Sequence, residues 1–103
     1  MKEQAQKSII HIDGRQLSNS AEAYAYLYQE ILQGRPSHAA YNLDALYDVL
    51  SQLPPDQKIV LSHYSDLQAR EKRWARRLRR VFSEAARDWG LDLIWEEIDD
   101  GKH

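Results

Sequence analysis

Lys58-Ile59-Val60-Leu61-Ser62 decides the fold of this 103-residue chain. The run is short, aliphatic and β-branched at its centre, and Leu53-Pro54-Pro55-Asp56 closes it off upstream, so it reads as a buried strand. Ser8-Ile9-Ile10-His11-Ile12 is a strand of the same kind, ended by the turn dipeptide Asp13-Gly14, and Leu91-Asp92-Leu93-Ile94-Trp95 is a third. Helical periodicity fills the intervals. After a cap at Asn19 or Ser20, with Glu22 placed for a capping box with Asn19, residues Tyr24, Leu27, Tyr28 and Ile31 form a core stripe that Gly34 stops. Residues 42–51 form a short helix with Leu43, Leu46 and Leu50 on its inner stripe. A loop or short helical turn at 64–67 precedes a long helix from about 68 to 89, with a core face of Trp74, Leu78, Val81, Ala85 and Trp89, and Gly90 ends it. Strands separated by helical crossovers pair in parallel. The expected fold is α/β, a three-stranded parallel sheet packed with helices. One domain spans 1–103, structured over about 8–98, with a core of Ile9, Ile10, Ile12, Leu46, Leu50, Ile59, Val60, Leu61, Leu78, Val81, Leu93 and Ile94. The 99–103 tail is expected to fray.

Composition bounds the functional classes. Hydrophobic residues make up 43% and charged residues 29%, as in a folded globular domain. The absence of cysteine removes disulfides, thiolate metal sites and a cysteine nucleophile, and fits a reducing compartment. No apolar run approaches a membrane span, and Met1-Lys2-Glu3-Gln4 does not open a signal peptide, so a cytoplasmic location is expected. His11, His38, His63 and His103 lack ligand spacing and Gly14 and Gly34 are isolated, so neither a metal site nor a phosphate loop is expected. No cofactor and no catalytic residue is assigned.

The segment Tyr41-Asn42-Leu43-Asp44-Ala45-Leu46-Tyr47-Asp48-Val49-Leu50 carries the functional reading. Asp44 and Asp48 are one helical turn apart and share a face, with the ring of Tyr47 at its edge. Such a face either is solvated or meets a cationic partner. Tyr47 also lies near the leucine stripe, so partial core burial competes with a role at an interface. Tyr41 is an aromatic contact for a partner or a staple onto its own helix. Glu84 and Asp88 form a second acidic pair at the same spacing, which Arg80 and Arg87 are placed to neutralise within the helix.

The net charge of −2 conceals segregation. Residues 70–80 hold Arg70, Lys72, Arg73, Arg76, Arg77, Arg79 and Arg80 against Glu71 alone, a local charge of +6 that leaves −8 on the rest of the chain. Such a remainder steers a basic partner, and the basic helix suits phosphates or an acidic surface.

Asn42-Leu43-Asp44-Ala45-Leu46-Tyr47-Asp48 resembles the helix start of the barstar family, small intracellular inhibitors of secreted ribonucleases. Pro36 stands at that family's loop spacing, Val81-Phe82-x-Glu84-Ala85 resembles its later helix, and the order of elements agrees over roughly residues 8–98. Within the matching helix start, Tyr47 stands where the best-known member has tryptophan. Two features depart from the pattern: His38-Ala39-Ala40 stands where the family has Tyr-Tyr-Gly, and residues 70–80 are an arginine-rich run. The resemblance implies a barstar-like single layer and a bacterial, cytoplasmic inhibitor of a small basic ribonuclease that neutralises the enzyme as a toxin. The contact residues it implies are His38, Tyr41, Asn42, Asp44, Tyr47, Asp48, Glu84 and Asp88, with acidic groups occupying the cations that would hold the RNA phosphate. The competing readings are an interaction or immunity module whose partner is not a nuclease, and RNA binding through residues 70–80. Direct nucleic-acid binding is the weaker of these, and a weak homodimer is expected from the opposed charges.

Overall fold

A computed structural model describes residues 9–96. The strands are β1, Ile10–Asp13, β2, Lys58–Ser62, and β3, Asp92–Glu96, and they form one parallel sheet in the order β1-β2-β3. Four helices accompany it: α1, Ala21–Leu32; α2, Leu43–Leu50; α3, Tyr64–Arg70; and α4, Lys72–Trp89. The expected three-stranded parallel α/β fold is therefore present. The proposed strand start at Ser8 and the 99–103 tail lie outside the described residues.

Register explains which strand residues enter the core. Ile10 pairs with Ile59 and Ile59 with Leu93, while Ile12 pairs with Leu61 and Leu61 with Trp95. These rows face the helices. The alternate row His11, Val60 and Ile94 faces away, because successive strand side chains point to opposite sides. This corrects the expected core at two positions: Ile9 is 49% exposed and Ile94 37%. Parallel strands are usually covered on both faces, whereas here the helices cover one. Val60, Val81 and Leu93 are half-buried. Leu46, Leu50, Ile59, Leu61 and Leu78 are fully buried as expected.

The helix starts follow from local chemistry. Ser20, not Asn19, caps α1, its Oγ accepting from the Ala23 backbone N–H at 3.2 Å, so the capping box with Glu22 does not form. Asn42 caps α2 through Oδ1, which accepts from Ala45 N–H at 2.8 Å. The inner face of α2 is Leu46, Val49 and Leu50, with Leu43 half-buried.

The single long helix read at 68–89 is two helices joined at Glu71, whose φ of −135° and ψ of 67° are not helical. Long-range bonds draw the chain out of line there. The Glu71 carboxylate accepts the Asn19 backbone N–H at 3.2 Å, and Arg70 donates to the carbonyls of Gly14 and Leu17 at 2.9 and 3.1 Å. The buried face of α4 is Trp74, Ala75, Leu78, Phe82 and Ala85. Phe82, 1% exposed, takes the place expected of Val81, and Trp89 is 40% exposed instead of buried. The phasing shifted because α4 packs on α2, α3 and β3 together, which widens its apolar face beyond one stripe.

Between β1 and α1 the chain makes a 3-10 turn, Gly14–Gln16. Gly14 is buried there, and a Cβ on it would stand 2.5 Å from the His63 carbonyl oxygen and 2.7 Å from that of Ser62. The expected turn glycine is thus a close-approach glycine as well.

Candidate functional site

Helix α2 projects its outer side from a fixed inner one. Leu46, Val49 and Leu50 are each fully buried, and this phasing turns Asp44 and Asp48 to solvent. Asp44 lies in the first turn of α2, where a carboxylate also complements the helix dipole. Asn42 has a structural duty as the cap, so its Oδ1 is engaged within the chain.

Tyr47 belongs to both environments read from the sequence. Its ring is half-buried and packs on the core, while its hydroxyl donates a 2.5 Å hydrogen bond to Oδ2 of Asp88 on α4. That bond holds the Asp88 carboxyl below the usual carboxylate range and pushes the Tyr47 phenol up; the nearby Glu84 charge pushes the phenol the same way. The helix pair α2 and α4 therefore brings Tyr47 together with Asp88, with Glu84 close enough to act on the phenol. Arg87 reaches Asp88 at 3.4 Å across exposed surface, so the predicted neutralisation within α4 is partial for Asp88. Glu84 has no ion pair with a described residue, Arg80 included.

Sequence reasoning missed Trp89 at this site. Its ring centroid stands 6.0 Å from that of Tyr47, tilted by 54°, so the acidic face is bordered by an aromatic pair. The signal was present in its position near the end of the helix, one residue past Asp88, where a core assignment extended the stripe one turn too far.

At the other end of α2, Tyr41 is 53% exposed and stacks on Tyr24 with 6.3 Å between centroids and 4° between planes. It also packs against Tyr28 at 5.9 Å. Its support is thus α1, not a staple onto α2. The Tyr28 hydroxyl donates to the Ala40 carbonyl at 2.6 Å and ties the loop before α2 to α1. Burial pushes the Tyr28 phenol up to about 12. His38 is exposed in that loop and is not brought against the other candidate residues. Arg77 enters where sequence reasoning had not put it: with Asp44, Asn42, Tyr41, Trp74 and Asn19 it lines a small groove between α2 and the start of α4.

The arginine run divides in the structure. Arg70 pairs with Asp66 at 2.8 Å, and Arg79 lies 5.2 Å over the Tyr64 ring and 5.0 Å over that of Trp95. Arg73, Arg76, Arg77 and Arg80 are exposed on α4 and form no ion pair with a described residue. The Glu71 carboxylate accepts the Asn19 backbone N–H and forms no ion pair with a described residue.

Among the described residues no three His, Asp or Glu side chains converge as a metal would require, and no helix is long and apolar enough to cross a membrane. Fold and surface together define a small single-layer α/β domain whose distinctive feature is a charged two-helix face. A family model described as Barstar (barnase inhibitor) matches residues 7–99, and the chain belongs to the Barstar family. Members of that family are inhibitors rather than enzymes. No curated protein matches the chain.

Proposed function

We propose that this protein is a cytoplasmic inhibitor of a small basic ribonuclease, and that it occludes the nuclease active site with the outer face of α2. The observation that carries the reading is the exposed pair Asp44 and Asp48 on a helix whose inner side is locked in the core of a Barstar-family fold. A ribonuclease holds the phosphodiester with cationic side chains, and carboxylates set at that site take those cations with charge-assisted hydrogen bonds. Asp48 is the central anchor. Asp44, Asn42, Tyr41 and His38 extend the contact toward the loop, and Tyr47, Glu84 and Asp88 extend it toward α4. The −8 charge outside residues 70–80 steers a basic partner onto the face.

The departure at His38-Ala39-Ala40 makes the loop less aromatic than the family pattern, and Arg35 and His38 make it less acidic. Arg35 and His38 there favour a nuclease that presents a carboxylate beside its active site. Titrating barnase and a panel of other small basic ribonucleases, with RNA cleavage as the readout, tests the assignment. Stoichiometric loss of cleavage supports it. Capture of a protein that is not a nuclease, with no effect on cleavage, favours an interaction module instead.

A further inference from the structure

The outer face of α4 carries an i, i+4 row of Arg76, Arg80, Glu84 and Asp88, all four exposed. The order is two cations followed by two anions, and it is unfavourable to the helix that bears it. Arg76 and Arg80 repel at i, i+4, as do Glu84 and Asp88, and the one opposite-charge step, Arg80 to Glu84, runs in the weaker direction. The macrodipole also opposes Asp88, an anion in the last turn of the helix. No acidic residue occupies the first turn of α4, and Glu71 makes no capping hydrogen bond there. Within the described residues the only relief is at Asp88, from the Tyr47 hydroxyl and a 3.4 Å contact with Arg87.

The same order is self-complementary. With two copies of the row laid antiparallel about a two-fold axis between Arg80 and Glu84, Arg76 meets Asp88 of the second copy and Arg80 meets Glu84 of the second copy. Every charge of the row is then matched, in the isologous manner of a C2 interface. Packing of i±4 ridges is the commonest class of helix crossing, and it brings such rows alongside one another. RNA would match Arg76 and Arg80 but set phosphates against Glu84 and Asp88. A uniformly acidic protein would meet the same obstacle.

We propose that α4 is a self-docking surface, on which two copies pair antiparallel through Arg76, Arg80, Glu84 and Asp88 in a weak, salt-sensitive dimer. The pairing covers Glu84 and Asp88. Resting on the reading of that region as nuclease-binding, the dimer is a reserve form that a ribonuclease must displace.

Sedimentation of the full chain at low and high ionic strength, without any nuclease, tests the dimer separately from the inhibition. The wild type should sediment as a dimer at low and as a monomer at high ionic strength. Arg80→Glu alone and Glu84→Arg alone each set like charges against each other, and each should weaken the dimer by roughly tenfold or more. Mixing the two variants should restore a heterodimer, and the double variant Arg80→Glu/Glu84→Arg should dimerise by itself. Circular dichroism confirms that each is folded, and heterodimer recovery in the mixture is a gain that misfolding does not produce. A wild type that stays monomeric at low ionic strength overturns the proposal, whether or not it is then retained on single-stranded RNA. Dimerisation unaffected by the charge reversals also overturns it, by placing the interface elsewhere.

Discussion

The Tyr47 hydroxyl on α2 donates its 2.5 Å hydrogen bond to Asp88 on α4, so the two helices that carry the acidic residues are joined at their surface as well as through the core. Removing the hydroxyl should release the carboxyl. In Tyr47→Phe the Asp88 pKa should rise toward the ordinary carboxylate value, since the Tyr47 bond is the leading cause of its depression. Carbon-detected NMR titration of the Asp88 side chain reads this directly. An unmoved Asp88 titration would mean that the bond does not persist in solution.

Gly14→Ala should destabilise the fold by more than the ~1–3 kcal/mol typical of overpacking. The added methyl would meet the backbone carbonyls of Ser62, the last residue of β2, and of His63 after it, which cannot swing away as a side chain would. Urea unfolding of the variant against wild type gives the difference. A change below ~0.5 kcal/mol, within the range of ordinary surface substitutions, would show that the turn relaxes freely.

Tyr28 predicts a loss of stability in alkali. Its phenol ionises near 10 when unfolded and at about 12 when folded, because burial disfavours the anion. The contribution is therefore complete below about pH 10 and falls away as pH rises from about 10 to about 12. Tyr24 and Tyr26 are pushed up in the same sense by burial. Urea midpoints measured across that window should decline for wild type and decline less steeply for Tyr28→Phe.

Leu46→Ala should cost ~2–5 kcal/mol, because Leu46 is fully buried and its loss leaves a cavity between α2 and the core. The same variant probes the phasing of the acidic face. If denaturation showed Leu46→Ala to be neutral, the orientation that turns Asp44 and Asp48 outward would be wrong.

The three strands, the parallel sheet, the short helix of residues 42–51 and the charge segregation were all legible in the sequence, because each rests on local periodicity. What was not legible depends on neighbours. The break at Glu71 exists because Asn19, distant in the chain, offers its N–H and because Arg70 reaches the carbonyls of Gly14 and Leu17. Ile9 and Ile94 looked like core, since an apolar strand does not reveal that only one face of its sheet is covered. Phe82 and Trp89 exchanged roles with expectation for a related reason: three elements pack on α4, so a single stripe does not describe its buried side. At the candidate site the acidic positions were readable as residue types. The Tyr47 bond to Asp88, and the arrival of Arg77 beside Asp44, required the packing of α2 on α4.

The central claim is that the outer face of α2 inhibits a ribonuclease with Asp48 as its anchor, and titration of a confirmed target enzyme by wild type, Asp48→Ala and Asp56→Ala measures it most directly. Asp48→Ala should weaken inhibition by ~2–5 kcal/mol, the range for breaking a buried charge pair at an interface. Asp56 lies in the loop before β2, outside α2, and its replacement should change binding by less than ~0.5 kcal/mol. Equal inhibition by Asp48→Ala and wild type would contradict the account and remove α2 as the inhibitory face.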